Sequence, residues 1–143
     1  MKKAKFPMIE ASLVLSSKEI ETIRITNLLQ VNPTKERCIE DWPDTIKSNP
    51  NLPEQMKPRN EWVWSIEHEK CISVNDVLKN LIETFEGKKS IFTETLKELC
   101  IEKSVQVLIH ANSTSLPEVG LEVETIEFLN DIKTPIFFDI YTY

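Results

Sequence analysis

A chain of 143 residues, 41% hydrophobic and 28% charged, has the length for one domain around one core and the composition of neither a disordered nor a fibrous protein. Only 2 glycines are present, which argues against a glycine-rich phosphate cradle, and no run of about 18 apolar residues offers a membrane span. The start MKKAKFPMIE lacks the apolar stretch and small-residue cleavage site of a signal peptide, so a cytoplasmic protein of one domain, residues 1–143, is expected.

The net charge of −6 is unevenly spread. Residues 1–60 carry 10 basic and 8 acidic side chains, whereas 61–143 carry 7 basic and 15 acidic, so the two parts stand at +2 and −8. An acidic body disfavours nucleic acid, whose binding rests on Lys and Arg at phosphates, and suits a cationic protein partner. Cys38, Cys71 and Cys100 are odd in number and contain no CxxC, which predicts reduced, mostly buried thiols, with neither a disulfide framework nor a metal site.

In chain order, Met8–Ser16 alternates as a first strand. Ser17 is placed to cap an amphipathic helix over Lys18–Gln30, which Asn32-Pro33 ends. From residue 32 to 60 the pattern breaks down: five of the eight prolines fall there, and a long, partly ordered surface loop is expected, anchored by Ile39, Trp42, Leu52 and Met56. Glu61–Glu69 resumes alternation, with Trp62, Trp64, Ile66 and His68 on one side. Val74, Val77, Leu78, Leu81, Ile82 and Phe85 form a helical stripe ending at Gly87, where a left-handed cap is predicted. A second helix over Ser90–Ile101 buries Ile91, Phe92, Leu96, Leu99 and Cys100. Val105–Ala111 is a strand with Val105, Val107 and Ile109 inward. Val119, Leu121 and Val123 suggest a brief strand before a last helix, Glu124–Ile132, with Ile126, Leu129 and Phe128 on its buried face.

The strongest strand signal closes the chain. In Pro135–Tyr143, Ile136, Phe138, Ile140 and Thr142 read as a core face, while Phe137, Asp139, Tyr141 and Tyr143 form an amphipathic one. The order β-α-β-α-α-β-(β)-α-β predicts an α+β fold: a mainly antiparallel sheet with helices packed on one face, and a long proline-rich loop at about 32–60.

Chemistry-bearing residues are sparse. His68 and His110, both in strands, would supply a hydrolytic or ligand-binding site only if their strands brought the imidazoles together beside a carboxylate. Glu122, Glu124, Glu127 and Asp131 can form an acidic ridge on the last helix, ordinarily a solvated face. Trp42, with Glu40, Asp41 and Asp44 around it, is the best loop candidate, since exposed tryptophan weighs heavily in protein interfaces; it serves equally well to tack the loop to the core. The partner-binding candidates are therefore Glu40, Asp41, Trp42 and Asp44 together with Glu124, Glu127 and Asp131; no catalytic residue, cofactor or metal is assigned.

Taken together, the first strand, the helix ending in Leu28-Leu29 and then Pro33-Thr34, the tryptophan strand, the paired helices, the strand ending at Asn112 and the closing Phe138-Asp139-Ile140-Tyr141 resemble the bacterial family called domain of unknown function 4279. The family pattern places a glycine soon after Pro-Thr, and this chain has none before Gly87. The resemblance implies a small cytoplasmic protein of the immunity type, with no catalytic residues to carry over. A non-enzymatic domain that binds and neutralises a cationic toxin domain is thus the leading expectation; a small hydrolase or ligand-binding protein using His68 and His110 is the alternative.

Overall fold

A computed structural model describes residues 6–143. Its frame is a five-stranded sheet in the order β2-β3-β1-β4-β5. The strands are β1 (Met8–Ser17), β2 (Lys35–Arg37), β3 (Asn60–His68), β4 (Glu102–Ala111) and β5 (Ile136–Thr142). Three of the four pairings are antiparallel and β4–β5 is parallel, so the sheet is mainly antiparallel as expected. Strand β1 is central because its alternate residues Ile9, Ala11, Leu13 and Leu15 are wholly buried.

The helices lie against one face. That face consists of Ile9–Leu15 alternation in β1, Trp62, Trp64 and Ile66 in β3, and Val105, Val107, Ile109 and Ala111 in β4. Helix α1 (Thr22–Leu29) contributes Ile25 and Leu29, and α3 (Val74–Phe85) contributes Val74, Val77, Leu78, Leu81 and Phe85. Of the stripe read in the sequence all but Ile82, which is half-buried, is buried. Phe85 lies edge-on to Trp62, Trp64 and Phe92 at 6.5, 5.3 and 5.9 Å between ring centres, the aromatic heart of the core.

Several local expectations are corrected by tertiary bonding. Ser17 does not cap α1; its Oγ accepts the N–H groups of Glu19 and Ile20 at 3.2 and 2.9 Å, which holds a bend and delays the helix to Thr22. Gly87 takes no left-handed φ, because the chain continues through a tight turn, Glu86–Lys88, into a π-helical turn, Ile91–Thr95, and one α-turn, α4 (Leu96–Glu98). Cys100 ends that segment with φ 55° and is exposed rather than buried; Cys71 is buried and Cys38 half-buried.

The long loop is a series of one-turn elements: Ile39–Asp41, the helical turn α2 (Asp44–Lys47) and Glu54–Met56, preceded by the short edge strand β2, which carries no sequence pattern of its own. Asn60 fastens the loop, accepting from Ile39 N at 2.9 Å and donating to Ile20 O at 3.0 Å. No strand forms over Val119–Val123; Glu118 makes only an isolated bridge to Ser73. Helix α5 (Val123–Asp131) buries Phe128 and Leu129 as expected, with Thr125 beside them, and leaves Ile126 exposed because that flank of the helix is uncovered. Lys103 Nζ donates to Phe92 O and Ile132 O, each at 3.0 Å, and burial, with Lys97 adding to it, pushes its pKa below the ordinary lysine value.

Strand β5 is the largest departure. Phe138 and Ile140 do point to the helix side, since they pair with Val107 and Ile109, but they are 36% and 55% exposed. As an edge strand, β5 lies beyond the cover that the helices provide.

Candidate functional site

The opposite face of the sheet contributes no residue to the core cluster. Its register sets side chains in rows across the strands. One row runs Glu67, Glu10, Leu108, Asp139 over β3, β1, β4 and β5. Glu10 and Glu67 are direct cross-strand partners, an arrangement that costs stability because like charges stand opposite one another. The next row is Ser65, Ser12, Gln106, Phe137, in which the two serine hydroxyls share a hydrogen bond of 2.8 Å and Ser12 Oγ also donates to Glu10 Oε1 at 3.3 Å. A shallow trough of about 270 Å³ joins these rows, lined by Glu10, Ser12, Lys35, Glu61, Gln106 and Asp139 among others.

Aromatic rings flank the carboxylates. His110 stacks on Tyr141 and Tyr143 with ring centres 5.5 and 5.7 Å apart, and Tyr143 stacks on Phe6 at 5.2 Å. His110 Nδ1 and Tyr143 Oη share a hydrogen bond of 2.9 Å. Phe137, Tyr141 and Tyr143 are 56%, 51% and 69% exposed. The face therefore couples rigid aromatic area, which loses little rotamer entropy on contact, with carboxylates that attract cations. Glu10, Glu61, Glu67, Glu102 and Asp139 stand here against Lys35 and Arg37 of β2, and Glu102 is already paired with Arg59.

The two histidines do not meet. His68 points to the helix side, where Asn80 Nδ2 donates to its Nε2 at 2.9 Å, whereas His110 points to the open face. Both are level with the start of β1, opposite Ile9 and Met8, yet the thickness of the sheet separates them. A joint site of the kind the sequence allowed is excluded by side-chain parity.

Trp42 acts as a fastener. Its Nε1 donates to Arg59 O at 3.0 Å and the Arg37 guanidinium sits 3.7 Å from the ring centre, leaving it half-buried. Asp41 Oδ2 accepts the Cys38 N–H at 2.9 Å, Asp44 pairs with Lys47 at 3.2 Å, and Glu40 is exposed with its carbonyl accepting from Lys47. Burial, followed by Asp41, Glu40, Glu36 and Glu21, raises the Cys38 thiol pKa above the ordinary thiol value. Trp42→Ala is expected to lower stability by about 1–2 kcal/mol, from one hydrogen bond and one cation–π contact, and to open residues 43–58 to protease while the core amides stay protected. Unchanged cleavage would show that the ring does not hold the loop.

On α5, Asp131 pairs with Lys89 at 2.9 Å, a bond that raises the lysine pKa; Glu124 and Glu127 are solvated. The loop hangs from the β2–β3 edge and α5 joins β4 to β5, so the two halves of the expected partner-binding set lie at opposite edges of the sheet. Strand parity separates Phe137, Asp139, Tyr141 and Tyr143 as one face already in the sequence. The Glu10–Glu67 pair exists only through the β1–β3 register.

No helix among the described residues is long and apolar enough to cross a membrane. No curated protein and no solved structure matches the chain. One family model does, over residues 7–143, and the chain accordingly belongs to the family described as a domain of unknown function, DUF4279.

Proposed function

We propose that this protein is a non-catalytic binding domain of the immunity type, acting in the cytoplasm, which neutralises a toxin domain by covering a cationic surface on it. The observation that supports this reading is the open sheet face: Glu67, Glu10 and Asp139 in one row, with Phe137, Tyr141 and Tyr143 exposed beside them. A like-charge cross-strand pair is a cost to the isolated fold, and an incoming Lys or Arg would relieve it. Complementary potential would also raise the association rate, most at low salt. The exposed aromatic rings supply the apolar area that lets such an encounter persist.

Two measurements, each on its own variant, test the reading. Glu67→Gln removes the charge–charge repulsion of the Glu10–Glu67 pair and is expected to raise stability by about 0.2–1 kcal/mol. The double variant Glu10→Lys, Glu67→Lys is expected to lose both capture of a basic protein from the native host and protection of cells that co-express the toxin encoded beside it. Protection that survives the double variant would move the binding surface elsewhere; no protection by the wild type would end the immunity reading.

A further inference from the structure

Strand β5 is parallel to β4, and in a parallel ladder the N–H and C=O of one residue point to the same neighbour while those of the next point away. Val105 N donates to Pro135 O at 2.9 Å and Tyr143 N donates to Ala111 O at 3.0 Å, which assigns the inward set to residues 135, 137, 139, 141 and 143. The N–H and C=O groups of Ile136, Phe138, Ile140 and Thr142 therefore point off the sheet, and among the described residues no strand pairs with that edge. The same strand exposes Phe138 and Ile140 on one face and Phe137, Tyr141 and Tyr143 on the other. Beneath it, between β5 and α5, runs an apolar groove of about 370 Å³ whose lining includes Leu121, Ile126, Leu129, Pro135 and Ile136. A long edge strand that exposes apolar side chains on both faces, with Asp139 its one charge, is the feature that soluble proteins ordinarily blunt.

We infer that β5 is the interface of a homodimer, in which two copies of the strand pair antiparallel about a two-fold axis and join the sheets into one of ten strands. The occupant is fixed by two properties of the edge. Its free groups demand a strand, and among its self-pairings the one centred on Ile140 keeps Asp139 off a second carboxylate while pairing the most main-chain groups. With Asp139 opposite Asp139 of the second copy, two carboxylates would face each other. With Phe138 on the axis, each carboxylate would face Phe137. With Ile140 on the axis, Asp139 faces the Tyr141 hydroxyl, Phe137 faces Tyr143, and Phe138 faces Thr142. That register makes about six main-chain hydrogen bonds. Taking about 200 Å² for an aromatic side chain, the exposed parts of the four rings and Ile140 amount to about 500 Å² on each copy, of which edge pairing covers the part turned toward the second copy and leaves the rest on the sheet faces. The dimer makes one continuous open face from the two copies, and it holds whether or not that face binds a toxin.

The test combines size with amide exchange. In light scattering at about 100 μM, well above a micromolar Kd, the wild type is expected at twice the monomer mass. Ile140→Pro removes an N–H that points off the sheet and leaves the β4 ladder intact, so it is expected to be a folded monomer, as is Ile140→Lys. In the wild type, the Phe138, Ile140 and Thr142 amides are expected to exchange about 100-fold or more slowly than free amides, and to lose that protection in either variant. A monomeric wild type, fast exchange at those three amides, or a dimer that persists in a folded variant would each overturn the proposal; a dimer that persists in this way places the interface on another surface. If Ile140→Pro fails to fold, Ile140→Lys and the wild-type exchange pattern decide.

Discussion

Phe85→Ala is expected to remove about 3–5 kcal/mol of unfolding free energy, seen as a fall in the urea midpoint at nearly constant slope. The magnitude follows from position. Phe85 closes α3, is fully buried, and meets Trp62, Trp64 and Phe92 edge-on, so truncation leaves a cavity bounded by rigid rings that cannot collapse into it. Trp62 is further constrained because its Nε1 donates to Thr26 Oγ1 at 3.0 Å, tying β3 to α1. Against a total of about 5–15 kcal/mol for a domain, the loss is a large share, and Phe85→Leu should recover most of it. A loss below about 1 kcal/mol would mean that the aromatic cluster is looser than its geometry implies.

Asn75→Ala is the second large effect, about 2–4 kcal/mol, and its cause is polar. Buried Asn75 donates to Gly120 O at 2.7 Å and accepts from Glu122 N at 3.0 Å and Thr125 Oγ1 at 3.3 Å. One amide thus holds the approach to α5, its N-cap residue and its first turn against α3. Removing it strands a carbonyl, an N–H and a buried hydroxyl at once. Asn75→Asp should fare little better, since a carboxylate cannot donate to Gly120 O and would bury charge. The distinguishing readout is local: residues 112–122 should become cleavable and the first amides of α5 should exchange quickly, while the β1–β4 ladder stays protected until global unfolding. Uniform loss of protection would mean that α5 docks only with the whole domain.

Much of the frame was legible because period and burial coincide where an element is covered on one side only. The inward positions Val105, Val107 and Ile109 of β4, Trp62 of β3 and most of the stripe Val74 to Phe85 are buried as read, while the buried face of β1, Ile9 to Leu15, emerged only with its two neighbours in place. Legibility failed where the deciding contact is remote. Asn75 carries no signal, since a buried asparagine reads as a helix-start residue until Gly120 and Thr125 are placed around it. The three residues of β2 are all exposed and owe their pairing to β3. The candidate site divided in the same way: Phe137, Asp139, Tyr141 and Tyr143 share a face by strand parity, but Glu10 and Glu67 become partners only through register.

The closing strand separates the two kinds of information. Its β-branched and aromatic residues mark Pro135–Tyr143 as a strand, realised as Ile136–Thr142, and its parity divides Phe138 and Ile140 from Phe137, Asp139 and Tyr141. Whether that strand seals the core or borders solvent is a property of its neighbours. The helices cover β3, β1 and β4, α5 shields only part of β5, and the parallel pairing to β4 leaves the groups of Ile136, Phe138, Ile140 and Thr142 directed away from the sheet. Propensity and alternation are local and were written in the chain. Coverage and register depend on contacts between residues far apart in sequence, and only the assembled fold decided them.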